Sequence, residues 1–443
     1  MTRQLHLNLF VMGRGHHEGA WRHPRASTQA LTDIDYYESL ARKAEAGCFD
    51  SIFFADALAI GGQMEFVAKG GLEPLTLLAA LARATTRIGL IATASTTYYE
   101  PFNLARLFSS LDHISRGRVG WNIVTSWVQG AAENFGYVQM PDHAERYARA
   151  REFLEVALKL WDSWADDAIV DDAAAGRYVR PGRIRSIDHL GRYHQVAGPL
   201  NVPRSPQGRP VLVQAGSSPT GKAFAAQYAE AIFTAHLEKE SAARFYRDIK
   251  QGAEGYGRNP RRVLVLPGIS PVIGSTESEA RRIQEELDDL TAPQAGLAHL
   301  SNRFGGHDFS RLDLDQALSP DDFPDPGKVQ AAQSRAGVIT ALVARERPTL
   351  RQLLRKLAGA RGHLAVAGTP EQVADLIQDW FDTGAADGFN VMPPVLPGLL
   401  DDFVEQVIPL LQRRGLFRRE YAGSTLREHY GLGVPGNALF ADG

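Results

Sequence analysis

The feature that most restricts how this chain folds is a rhythm: short apolar runs, each followed by a helical pattern, eight times over. The runs occupy residues 5–12, 51–55, 88–93, 118–124, 211–216, 231–235, 263–269 and 388–392. Near-continuous apolarity, instead of strict alternation, marks strands buried on both faces, as in parallel sheets. Strands separated by helices point to βαβ units. A count of eight favours a closed α/β architecture, the (β/α)8 TIM barrel, over an open doubly wound sheet. Asp33 caps the first helix, which ends at Gly47. Gly61, Gly62, Gly70 and Gly71 mark a loop before the helix that starts at Glu73 and Pro74. Further helices are expected over 102–115, 145–161, 219–229, 239–256, 276–290, 369–381 and 399–413.

Two stretches interrupt the rhythm, at about 162–209 and 291–367. They are expected as insertions in one barrel domain spanning 1–443. The first is rich in Asp, Gly, Pro and Arg, with a short hairpin near His194. The second is irregular, with helical pieces near 328–345 and 350–358. The tail reads as polar and is expected to wrap the surface.

Composition narrows the function classes. The net charge is −3 and no Lys/Arg run exceeds a pair, which argues against a nucleic-acid surface. No apolar stretch reaches 18 residues and no secretory leader pattern opens the chain. The expectation is therefore a cytoplasmic protein without a membrane span. The single cysteine, Cys48, excludes an intrachain disulfide and reads as a buried thiol.

In a barrel, chemistry gathers where the strands end. Those ends here are 13–17, Asp56, 93–97, Thr125 with Ser126, 216–218 and Pro393–Pro394. The set is rich in hydroxyls and nearly free of acidic pairs. The AGSSPTG loop places Gly216, Ser217 and Ser218 before Pro219 at a helix start, which suits either an anion site or a plain N-cap. His143 and Tyr147 stand four apart at another helix start and share a face. Asp56 follows an apolar run and suits either a ligand contact or a turn. Asn122 is an amide inside a strand, so it faces a ligand or braces the backbone. His16, His17 and His23 lack metal-site spacing, and HExxH, Walker A, GxGxxG and GxSxG motifs are missing.

The motifs FFAD, ATASTTYYEP, GRVGWNIVTS, AENFG, HAERY, QAGSSPTG and DGFNVMPP follow one another in this order across nearly the whole chain. Together they resemble the flavin-dependent, bacterial-luciferase-like monooxygenases, within them the group acting on nitrilotriacetate, EDTA and dibenzothiophene sulfone. The resemblance implies a (β/α)8 barrel that binds reduced FMN (FMNH2) supplied by a separate NAD(P)H:flavin reductase. Molecular oxygen would be the co-substrate, a small organic molecule the substrate, and C–N or C–S cleavage or hydroxylation the outcome. A homodimer or homotetramer is expected on the same ground. Carried over by position, Asp56, Thr93 or Ser95, His143, Tyr147, Ser217 and Ser218 contact the cofactor. Ala144 stands where the family often has Asp. The catalytic acid or base is not identified by the motifs; His16 and His17 are the candidates. A deazaflavin-dependent hydride-transfer enzyme and a non-catalytic flavin-binding protein are the competing expectations.

Overall fold

The computed structural model describes residues 3–440 except 61–64, 67, 69, 330–332 and 361, so Gly61 and Gly62 lie outside the described residues. Eight strands build the barrel: β1 (His6–Val11), β2 (Ser51–Phe54), β3 (Gly89–Ser95), β4 (Val119–Val124), β5 (Val211–Gln214), β6 (Ala231–Thr234), β7 (Leu264–Ile273) and β8 (Gly388–Val391). Each pairs in parallel with the next, and β8 returns to β1, which closes the barrel. The expected (β/α)8 fold is what the chain forms.

Alternation along each strand divides the residues between two apolar layers. Leu5, Leu7, Leu9 and Val11 pack outward against the helices, while Phe10 packs inward with Phe53, Ile91, Val213 and Phe233. The same parity turns His6 and Asn8 of β1 inward. In β4, Val119, Trp121 and Ile123 belong to the outer layer, which leaves Asn122 facing the barrel interior.

Helix starts follow the expected chemistry. Asp33 accepts from the amide of Asp35, Glu73 from those of Leu75 and Thr76, and Thr369 forms a capping box with Gln372. Cys48 is buried and free. Among the described residues, no helix is long and apolar enough to cross a membrane.

Three expectations need correction. First, β7 runs to Ile273, and its second half pairs in parallel with an extra strand, Leu364–Gly368. That strand is small-residue LAVAG and lies inside the stretch expected to be irregular. Second, the insertion before it has the two expected helical pieces, as Gln333–Glu346 and Leu350–Ala360, and a further helix, Pro293–Arg303, beyond those expected. The insertion encloses its own apolar cluster around Phe304, Phe309, Phe323 and Leu353. Third, the tail lies only partly on the surface. Leu426, Arg427, His429 and Tyr430 are buried beneath the barrel. Leu426 reaches Gly89 and Gly120, where a Cβ would lie 2.5 Å and 3.2 Å from its methyl carbons. Tyr430 donates to Asn8 Oδ1 at 2.8 Å. The floor is also held by charge: Arg418 pairs with buried Asp50, and Arg427 with Glu230. The first insertion carries the expected hairpin, His189–Leu190 with Gln195–Val196, and a second one at Ile169–Asp172 with Arg177–Val179.

Asp112, buried near this floor, gives a stability prediction. Burial pushes its carboxyl up to about 6, against hydrogen bonds from Val119 N and Gln207 Nε2 and the charge of Arg427. The folded value exceeds the unfolded one, so the native state binds the extra proton and stability falls as pH rises from about 4 to about 6. A shift of about two units corresponds to roughly 3 kcal/mol. Asp112→Asn is expected to raise the melting midpoint near pH 7.5 and to change it little near pH 4, where the folded carboxyl is protonated and the unfolded one, with a pKa of about 3.9, is already about half protonated. Equal midpoints across that range would contradict the assignment.

Candidate active site

Two helix starts meet at the C-terminal mouth of the barrel. After β5, residues 215–218 lead into the helix Pro219–Tyr228, whose N-cap Ser218 accepts from Gly221 N at 3.1 Å. Opposite lies the start of the helix His143–Trp161, capped by Asp142, which accepts from Glu145 N at 2.8 Å. His143 Nε2 stands 3.5 Å from Ser218 Oγ. Ser218, Thr125 and Gln214 surround the Tyr147 hydroxyl closely enough to act on its ionisation. Two glycines make this approach possible. A Cβ on Gly216 would lie 2.4 Å from Gln214 Nε2 and 2.7 Å from Tyr147 Oη, and one on Gly221 would lie 2.9 Å from that oxygen. Ser217 is half-buried beside them. Burial pushes the Tyr147 hydroxyl up, which keeps it a proton donor. Burial, assisted by the charge of Arg146, pushes His143 down, which keeps its ring neutral at neutral pH. Converging helix N-termini, hydroxyls and a protonated phenol make a cradle for an anion.

The wall beside the cradle is made by β3 and β4. Ser126 follows β4 in the left-handed backbone region, with φ of 47°, and its hydroxyl donates to Ser95 Oγ at 2.7 Å. A serine held there is uncommon and is the kind of local strain found at functional positions. Thr97 Oγ1 donates to the carbonyl of Thr125 at 2.6 Å. Deeper in, Asn122 Nδ2 donates to Thr93 Oγ1, and Thr93 in turn donates to the carbonyl of Phe54, both at 2.9 Å. Thr93 and Asn122 therefore brace strands β2, β3 and β4 to one another. Of the two strand-three hydroxyls, Ser95 stands nearer the rim and Thr93 has its proton committed inside the wall.

On the β1–β2 side, a cavity of about 480 Å³ is lined by residues including Gly13, Arg14, Trp21, Tyr37, Phe54 and Asp56. Burial pushes the Asp56 carboxyl up, and the neighbouring Glu73 carboxylate adds to this. The loop after β1 is sewn into place from several directions. His16 and His17 donate their backbone amides to Pro393 and Pro394. His16 Nε2 donates to the Phe10 carbonyl at 2.9 Å, and its ring packs on Phe10. His17 Nε2 lies 3.1 Å from Asp288, while its Nδ1 accepts from Gly19 N at 3.1 Å, so both ring nitrogens are engaged within the chain. Glu18 meets His299 of the helical insertion, and Arg22 donates to the Leu290 carbonyl at 2.7 Å.

A model of the luciferase-like monooxygenases matches residues 15–387. The chain belongs to that family. Among curated luciferase-like monooxygenases it is 47% identical over 435 residues to the N-acetyl-S-(2-succino)cysteine monooxygenase of Bacillus subtilis, covering 98% of each chain. It is 46% identical over 450 residues to nitrilotriacetate monooxygenase component A of Aminobacter aminovorans, covering 99% of this chain and 98% of the relative. Among solved structures, the EDTA monooxygenase of Chelativorans sp. BNC1 matches with a TM-score of 0.82 at 36% identity, over 97% of this chain and 98% of that one. A riboflavin lyase crystallised with modified FMN and riboflavin matches with a TM-score of 0.87 at 33% identity, over 98% and 97%. The resemblance read from the motifs is thereby shown.

For a luciferase-like monooxygenase, the motif residues divide in space. His143, Tyr147, Ser217 and Ser218 come together in the anion cradle, Ser95 joins Ser126 in the wall, and Asp56 lines the cavity by β1. Motif reading missed Gln214, which with the strand-end Thr125 acts on the Tyr147 hydroxyl, and Arg146, which shares its helix face. Gln214 was visible as a polar end to an apolar strand. Arg146 was visible as the i+3 partner of His143.

Proposed function

We propose that this protein is the oxygenating component of a two-component monooxygenase. It takes reduced FMN from a separate NAD(P)H:flavin reductase, uses molecular oxygen, and oxygenates a small organic substrate with C–N or C–S cleavage or hydroxylation. The observation that carries this reading is the cradle: two helix N-termini, Ser218 and Tyr147, and the close glycines Gly216 and Gly221, all at the barrel mouth. The donors suit a flavin phosphate, and the two glycines let Tyr147 Oη stand against the loop that carries Ser217 and Ser218. Ser217, Ser218, His143 and Tyr147 would hold the phosphate, with Ser95 and Asp56 toward the ring system. When bound, the reduced flavin supplies the activation of oxygen. The chain's own part is to fix the phosphate, orient the ring by the β3–β4 wall, and keep water from the mouth through the insertion clasped to the β1 loop. Arg14 and Trp21 at the cavity give a cationic and an aromatic contact for the substrate.

The test is a substrate screen with purified protein, a flavin reductase, NADH, FMN and 18O2, read by mass spectrometry. Aminocarboxylates, thioethers, sulfones and alkanes form the panel. The expected result is labelled product, or the oxidised fragment of a cleaved bond, that needs both FMN and the reductase. Absence of flavin binding together with no turnover across the panel would sink the reading, and preference for a deazaflavin over FMN would replace it. Within the same reading, Tyr147→Phe is expected to weaken FMN binding by about tenfold, the worth of one hydrogen bond to a charged group. Fluorescence quenching of FMN measures it, and an unchanged dissociation constant would remove Tyr147 from the cradle.

A further inference from the structure

The loop after β1 carries several basic side chains, and the structure sorts them. Arg25 pairs with Asp402 through contacts of 2.7 Å and 2.8 Å. Arg22 donates to the Leu290 carbonyl, and His17 is engaged at both ring nitrogens. Arg14 is different. It lines the cavity of about 480 Å³ on the β1–β2 side. Among the described residues, no carboxylate lies within ion-pair distance of it. Its Nη2 donates to the carbonyls of Thr28 at 3.3 Å and Gln29 at 2.9 Å. Its Nε is buried without a hydrogen-bond partner, and its Nη1 has none among the described residues.

This cation is held in place from both sides. Gly13 and Gly15 flank it with φ of 50° and 138°. A Cβ on Gly15 would lie 2.2 Å from the Pro394 carbonyl oxygen, so the backbone there fits tightly against the loop after β8. The Tyr36 hydroxyl donates to the Gly13 carbonyl at 2.7 Å, and Leu396 N donates to the Arg14 carbonyl at 2.8 Å. Backbone and guanidinium are fixed before a ligand arrives, which lowers the ordering cost of binding. The acids of the same cavity do not neutralise Arg14. Glu18 meets His299, and Asp56 makes no ion pair with Arg14 among the described contacts. Much of the remaining lining is apolar or aromatic, with Leu31, Tyr37, Phe54 and Leu77. In such surroundings a cation without a counter-charge is costly unless a ligand brings one.

We propose that Arg14 binds a carboxylate of the substrate, so that the protein acts on a carboxylate-bearing small molecule and turns away neutral sulfones and alkanes. The inference rests on the monooxygenase reading above and adds to it a substrate class and the residue that selects it. Arg14 belongs to the β1 loop, apart from the cradle built by the helices that follow β4 and β5, which leaves it for the substrate. A guanidinium and a carboxylate form charge-assisted hydrogen bonds, a sulfone oxygen is a weaker acceptor, and an alkane leaves the cation unpaired. Arg14 acts by binding and orienting; no proton or electron passes through it.

The experiment uses the reductase-coupled assay with carboxylate-bearing amines and thioethers, each beside its methyl ester, and with neutral sulfones and alkanes. Wild type, Arg14→Met and Arg14→Lys are compared, and circular dichroism and melting midpoints confirm that each is folded. The wild type is expected to prefer an acid over its ester by about 50-fold in kcat/KM. Arg14→Met is expected to raise KM for the acid by about 30-fold, with kcat changed by less than about threefold and the FMN dissociation constant by less than about twofold. Arg14→Lys, which keeps the charge without the fork, is expected to fall between them. A neutral sulfone, alkane or ester used as well as the best acid overturns the inference while leaving the monooxygenase reading intact, as does an unchanged KM in Arg14→Met. An FMN dissociation constant raised more than about tenfold in Arg14→Met would place Arg14 against the flavin and overturn it as well. If no compound is turned over, calorimetric titration of nitrilotriacetate and thiodiglycolate decides. Binding to the wild type that Arg14→Met weakens about 30-fold supports the carboxylate site, and equal or absent binding overturns it. Failure to bind FMN overturns the monooxygenase reading separately. Should Arg14→Met fail to fold, the wild-type preference and Arg14→Lys decide: no preference for acid over ester, or a KM unaltered by Lys, overturns the inference.

Discussion

Replacing Arg427 by methionine is expected to destabilise the protein by roughly 3–5 kcal/mol, the usual cost of leaving one half of a buried ion pair alone. Arg427 holds Glu230 with two contacts, Nη1 to Oε1 at 2.8 Å and Nη2 to Oε2 at 3.0 Å, and it also reaches the carbonyls of Arg209, Pro210 and Gly433. Glu230 accepts in addition from Leu212 N at 3.0 Å, so the pair fastens the tail to the base of β5 and β6. Burial acts to raise the Glu230 carboxyl, but the charges of Arg427 and Arg209 override it and hold the carboxyl below its usual range. A depressed folded value means stability present above the unfolded value of about 4.3 and lost as pH falls through the folded one. In Arg427→Met the larger part of the override is gone and the charge of Arg209 alone remains, so the deficit should be large near pH 8 and shrink toward pH 4, where protonation discharges Glu230. Adding Glu230→Met should recover much of the loss, since a matched apolar pair removes the stranded charge. Melting midpoints of the two variants across pH check this. A single variant within about 1 kcal/mol of wild type at pH 8 would show that the pair is not holding the floor.

The second large effect lies at the mouth. Gly216→Val is expected to weaken flavin binding by about 100-fold or more, equal to roughly 3 kcal/mol. The cause is steric. The added Cβ would collide with Gln214 Nε2 and Tyr147 Oη, and both groups belong to the cradle. Gly216 also donates its amide to Gln214 Oε1 at 2.7 Å, so the loop has little freedom to shift without releasing that contact. The loop is only half-buried, so the fold should survive and the melting midpoint should move by a few degrees at most. Gly216→Ala should give an intermediate loss. FMN titration followed by fluorescence measures all three proteins. An affinity within twofold of wild type for Gly216→Val would mean the flavin phosphate does not sit in this loop.

The barrel was legible because strands buried on both faces leave long apolar runs, and because Asp33, Glu73 and Thr369 are strong helix starters. The tail was not. Arg418, Arg427, His429 and Tyr430 read as surface residues, and nothing local shows that Asp50 and Glu230, some 200 to 370 residues earlier, wait for two of them. The strand Leu364–Gly368 was hidden for another reason: LAVAG is short and made of small residues, and it becomes a strand by pairing with β7. At the site, HAERY and AGSSPTG were informative because helix starts carry their own chemistry. Their meeting was not visible, since it depends on Gly216 and Gly221 allowing Tyr147 to approach. Asn122 had two readings, and its hydrogen bond to Thr93 favours bracing, though its Oδ1 stays buried without a partner.

The buried tail also sets a clock on synthesis. The residues that fill the barrel floor lie about 40 positions after β8, so every strand has left the ribosome before they do. At roughly 5–20 residues per second, the nascent barrel stands for about 2–8 seconds with Asn8, Ser51 and the carboxylates of Asp50 and Glu230 open to water. Those polar groups keep the unfinished end hydrated and poor at joining other chains, so the same residues that anchor the finished floor guard the barrel while it waits to be closed.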